Sequence, residues 1–96
     1  MFVVLLKFSA NKTQAGQFMS AHKAWIERGF DEDIFLLIGN LQPGLGGSIV
    51  AHNISLAELQ ARVSEDPFVA QDIVRPEIIE IAPSRADPRL AFLLSV

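Results

Sequence analysis

Residues 2–8 read FVVLLKF and residues 34–39 read IFLLIG. Neither run has a helical period, and neither alternates polar with apolar. In a strand, side chains at i and i+2 share a face. In the first run Phe2, Val4, Leu6 and Phe8 take one face, and Val3, Leu5 and Lys7 take the other. In the second run Ile34, Leu36 and Ile38 oppose Phe35 and Leu37. A sheet built from such strands is apolar on both sides, and both sides have to be covered.

Only two stretches have the pattern of covering helices. From about Thr13 to Arg28, the residues Ala15, Phe18, Met19, His22, Trp25 and Ile26 recur at three- and four-residue spacing, and Gly29 is expected to end the helix in a left-handed turn. The second opens on SLAE at 55–58, a capping box, and continues through Leu56, Leu59 and Val63 to about Ser64. Asp66-Pro67 then suits the N-cap and first position of a further single turn. Residues 48–54, SIVAHNI, and 76–83, PEIIEIAP, complete a set of four strands, with NLQPGLGG at 40–47 as the turn of a long-looped hairpin.

The order β-α-β-β-α-β predicts an α+β, ferredoxin-like domain, an antiparallel sheet with both helices on one face. The face without helices would expose more than the roughly few hundred Å² of contiguous apolar surface that monomers tolerate. A second copy packed sheet to sheet covers it, so the chain is expected to be a homodimer. The domain is expected over residues 1–83, with an apolar tail at 84–96. Asp87-Pro88 opens a short helix in that tail, and LAFLLSV at 90–96 is expected to dock at the dimer seam or over the rim of a pocket beside His22.

Charge and cysteine content narrow the function classes. Eight Lys and Arg stand against 11 Asp and Glu in 96 residues, for a net charge of −3, and no run of like charges occurs. Nucleic-acid binding needs clustered cations, so it is not expected. With no cysteine there is neither a disulfide nor a thiolate site, which fits a cytoplasmic protein. Residues 1–6 are apolar but have no basic flank and are broken by Lys7, so neither a signal peptide nor a membrane span is expected. Two histidines without a His-x-x-x-His or Glu-x-x-His pair do not make a metal site. GLGG at 44–47 lacks the Lys-Ser/Thr of a phosphate loop and reads as a hairpin loop.

His22 is the residue that asks for an explanation, because it falls inside the apolar stripe of its helix. The plainer account is a core histidine satisfied by local hydrogen bonds. The chemical account is a general base, since a neutral imidazole donates from one nitrogen and accepts at the other. Asp66 is at least an N-cap. The fold also brings the end of the second helix toward the middle of the first, where Asp66 could fix the tautomer of His22. Trp25 and Phe68 could wall an apolar pocket beside the ring, and Ser48 could reach a ligand from the strand end, although each also reads as ordinary core or surface. His52, on the third strand, could face either side.

A histidine midway along the first helix, a Gly-rich turn before the third strand and EDPFV at 65–69 together resemble the YCII-related family, over roughly residues 1–83. The resemblance implies a dimeric ferredoxin-like α/β assembly with an active site built on His22 and Asp66. Most members of that family have no assigned reaction; a chlorinated-aromatic dechlorinase is one with known chemistry, and muconolactone isomerases share the broader fold. Three readings follow. The first is a cofactor-independent acid–base enzyme acting on a small cyclic metabolite by isomerisation, elimination or dehalogenation. The second is a non-catalytic binding module using the same cleft. The third is a structural dimer in which the pair satisfies only itself. Fold alone does not choose among them.

Overall fold

The computed structural model describes residues 1–94, so Ser95 and Val96, the end of the expected docking tail, lie outside the described residues. Its elements run β1 (Phe2–Phe8), a 3₁₀ turn (Lys12–Gln14), α1 (Ala15–Asp31), β2 (Phe35–Leu41), β3 (Gly46–Ala51), α2 (Leu56–Ser64), α3 (Pro67–Ala70), β4 (Val74–Glu80) and a 3₁₀ segment (Pro88–Leu93). The four strands form one antiparallel sheet in the order β2-β3-β1-β4, the ferredoxin-like arrangement. Phe2, Val4 and Leu6 of β1, Ile49 and Ala51 of β3 and Phe35 of β2 meet Trp25, Leu59, Val63 and Phe68 in one core.

The element starts follow from local chemistry. Ser55 Oγ accepts the Glu58 amide at 3.1 Å, the N-cap half of the expected capping box, and donates to the Glu58 carboxylate at 2.9 Å, so the return bond runs to the hydroxyl rather than to the Ser55 amide. Asp66 caps α3, with Pro67 just inside it. The expected tail helix opens on Asp87, whose carboxylate accepts the Arg89 amide at 2.9 Å. At the far end of α1, Arg62 of α2 reaches Glu32 with two guanidinium hydrogen bonds of 3.0 and 3.3 Å. That pairing holds the Glu32 carboxyl below the usual carboxylate range. Its small contribution is therefore present above the ordinary carboxylate pKa and fades as pH falls through the lowered value.

Several boundaries differ from the sequence expectation. α1 does not stop at Gly29 but runs on to Asp31. The left-handed residue is Asp33, at φ 58°. Its amide bonds to Phe30 O at 3.0 Å and the Ile34 amide to Gly29 O at 2.9 Å, the paired bonds of a Schellman stop. Gly29 is glycine for another reason: a Cβ there would overlap the ring of Phe35. β4 starts at Val74 rather than at Pro76 and ends at Glu80. As an edge strand it tolerates a proline without an amide donor.

β2 contains the largest departure. Phe35 pairs with Ala51 and Leu37 with Val50, so Leu36 is an extra residue bulged out of the ladder. The simple alternation of 34–39 is broken there. Phe35 and Ile38 share the helix side with Ile49, and Leu37 turns to the other face. The outer face then carries Val3, Leu5, Leu37, Val50 and Ile79 by register, with Leu37 55% and Ile79 41% exposed. Among the described residues no helix covers it. The described part of the tail lies with the ring of Phe92 edge-on to His52, their centroids 5.6 Å apart.

Candidate active site

Mid-α1, His22 sits over α3. Its Nδ1 is 2.7 Å from Asp66 Oδ1. Asp66 is fully buried and His22 keeps 14% of its side chain exposed. The same Asp66 oxygen accepts the Phe68 amide at 3.0 Å. That amide can only donate, so Oδ1 acts as an acceptor and Nδ1–H is the natural donor to it. The tautomer so fixed leaves a lone pair on Nε2. The other carboxylate oxygen, Oδ2, is buried with no hydrogen-bond partner among the described residues. An unsatisfied buried acceptor costs about 1–3 kcal/mol, which the fold has to offset elsewhere.

Aromatic rings fix the plane of the imidazole. Phe68 lies parallel to His22 at 3.8 Å between centroids and 1° between planes. Trp25 stacks further off, at 6.2 Å and 21°. It is buried, and its indole N–H is spent on Arg62 O at 3.0 Å. Asp66 from its edge and Phe68 from its face therefore hold the ring in one orientation.

Beside the ring lies a cavity of about 270 Å³ between α1, α3 and the helix side of the sheet. Leu6, Met19, Ile26, Ile38 and Phe68 make its apolar walls, and His22, Lys23 and Asn40 are its polar side chains. Of the residues named from sequence, the fold brings His22, Asp66 and Phe68 together. Trp25 packs behind the histidine and does not line the cavity. Ser48 is not brought to it either. It pairs with Leu5 on the outer face, and its hydroxyl lies 3.4 Å from Gly39 O.

Lys23 and Asn40 carry no site signal in the sequence, and Gly47, expected in a hairpin loop, belongs to β3. Gly47 pairs with both Leu6 and Asn40, so it faces the cavity. A glycine within a strand is itself a signal of close approach or of room left for something. Reading it needed the register of a hairpin whose turn the sequence left loose. The other histidine, His52, faces away from this site, 3.5 Å from Asp33 Oδ1.

A larger cavity, of about 480 Å³, lies at the β1–β4 edge between Lys7, Phe8, Arg75 and Glu77. Glu77 is its one carboxylate, beside Lys7 and Arg75, and neither His22 nor Asp66 lines it. Among the described residues no three His, Asp or Glu side chains gather as metal ligands, and no helix is long and apolar enough to cross a membrane.

No family model and no curated protein matches the chain. Among solved structures, it is similar to 5-chloro-2-hydroxyhydroquinone dehydrochlorinase from Burkholderia phenoliruptrix AC1100, in complex with 2,5-dihydroxybenzoquinone. The TM-score is 0.68 at 14% identity, over 84% of this chain and 93% of that one. At that identity the likeness establishes a shared fold.

Proposed function

We propose that this chain is a YCII-related enzyme that moves a proton on a small cyclic molecule, with His22 Nε2 as base and then acid. The observation that carries this is the fully buried Asp66 held 2.7 Å from Nδ1 of a histidine that lines a cavity. The carboxylate fixes the tautomer and stabilises the imidazolium formed when Nε2 takes a proton. Returned to another atom of the same molecule, that proton completes an isomerisation. If the ring carries a halogen, the electron pair left behind expels halide. The net loss is then one hydrogen halide, and no oxidant is required. The dehydrochlorinase of like fold runs a reaction of that class, which favours elimination among the alternatives.

The test is incubation of the purified protein with 5-chloro-2-hydroxyhydroquinone and with enolisable lactones in deuterated water. Chloride release is followed by ion chromatography and deuterium uptake by NMR. Catalysed release or uptake is the expected result. Ligands that bind beside His22 without either change would make the chain a binding module instead.

The homodimer belongs to the same proposal. Val3, Leu5, Leu37, Val50 and Ile79 form an apolar outer face that a second copy would cover, and the tail lies near its β3 end. Sedimentation should give a dimer at micromolar concentration, and Leu5→Glu should give a monomer, because a carboxylate buried without a partner costs more than a marginal interface returns. A wild-type monomer would end this part of the proposal.

A further inference from the structure

We infer that the His22 cavity selects a flat, singly charged oxyanion, with its charge at Lys23 and its ring over Gly47. The inference rests on the acid–base reading of the same cavity and adds the class of ligand.

Lys23 is the only formally charged side chain lining this cavity, and among the described residues it is in no ion pair. Asp66 does not itself line the cavity, so the one full charge on the cavity wall is the Lys23 ammonium. The chemistry makes that charge useful. A proton arriving on Nε2 puts a second cation beside Lys23, and the ligand that released it gains the compensating negative charge. A planar oxyanion, whether carboxylate or phenolate, spreads that charge between the two cations. Across the cavity the Asn40 amide offers a donor to a second oxygen.

Shape adds a separate constraint. A Cβ built at Gly47 would meet nothing nearer than Gly39 O, at 3.7 Å. Glycine is therefore not demanded by packing at this position. What its missing side chain leaves is floor space under the cavity, between Leu6 and Asn40. A ring lying on that floor would have its edge toward His22, with Met19 and Ile26 above it.

Three probes test this: benzoate and 4-nitrophenolate as carboxylate and phenolate anions, and benzamide as the neutral isostere of benzoate. Binding is read from the His22 ring C–H resonances by NMR. Benzoate or the phenolate should bind with a Kd of about 1 mM, as suits a ligand of that size. Benzamide should bind about fivefold more weakly, because an exposed lysine adds only a modest charge term. Lys23→Met should remove the difference. Gly47→Val should abolish binding of all three with an unchanged melting temperature, and Gly47→Ala should weaken it part of the way. Equal affinity for benzoate and benzamide overturns the charge selection and leaves the acid–base reading standing. Anion binding that survives Gly47→Val, or that leaves the His22 resonances unmoved, overturns the location. Failure of all three probes to bind at about ten times that Kd overturns the inference outright. Absence of turnover in the chloride and deuterium assays speaks only to the acid–base reading.

Discussion

Asp66→Asn should lower turnover by about 10²–10⁴-fold, the usual worth of general acid–base catalysis, while the chain stays folded. Asparagine is as good an N-cap as aspartate, and its carbonyl oxygen can still accept the Phe68 amide. The fold therefore keeps its α3 corner. What is lost is the negative charge that stabilises imidazolium at His22. The amide also places donors where Oδ2 already lacks a partner, so a stability change of about 1–2 kcal/mol is expected. His22→Ala is the less clean substitution. It strands a fully buried carboxylate, and breaking a buried pair from one side costs about 3–5 kcal/mol. Circular dichroism beside the chloride and deuterium assays separates the two effects. An Asp66→Asn protein at full rate would remove Asp66 from the mechanism.

Gly29→Ala should be strongly destabilising for a single added methyl. The new Cβ would overlap the Phe35 ring, which is buried and held edge-on by Trp25 at 5.2 Å and Phe30 at 6.2 Å. The ring has nowhere to go without disturbing the indole that packs behind His22. Overpacking of this kind costs about 3 kcal/mol, which lowers the melting temperature of a domain this size by about 15 °C. Gly16→Ala is the control on the same helix. A Cβ there meets nothing within 4 Å, so relief of glycine's backbone entropy should stabilise by up to about 1 kcal/mol. Thermal melts of the two variants should move in opposite directions. Melts that move together would mean that Gly29 is not set by the Phe35 contact.

Much of this architecture is legible in the chain because local signals agree with the fold. FVVLLKF has no helical period and forms β1 throughout. Ser55 with Glu58, and Asp66 with Pro67, announce helix starts that the structure has. The approach of Asp66 to His22 follows from element order, since both helices lie on one face of the sheet. The illegible parts depend on contacts distant in sequence. Gly29 looks like a helix stop until Phe35 is placed against it. Ser48 looks available to a ligand until its pairing with Leu5 turns it outward. Asn40 and Gly47 become neighbours of His22 only once three strands are in register, and no local pattern encodes that register, while Lys23 adjoins it on α1 and gains meaning only from the cavity.

The bulge at Leu36 has a consequence for how such a site can change. Counting along β2, one surplus residue decides the parity of everything downstream. With it, Ile38 and Asn40 line the cavity and Leu37 lies outside. Were Leu36 drawn into the ladder opposite Val50, the order would invert: Leu37 and Gly39 would face inward, and Ile38 and Asn40 would leave the cavity. The same shift would rewrite the outer surface. Gaining one residue between Leu37 and the turn, absorbed into the ladder, thus exchanges the cavity-facing and outward-facing sets beyond it, whereas losing Leu36 itself leaves both in place. The cavity wall and the apolar outer face are written on opposite sides of the same strand, and an insertion there edits both at once.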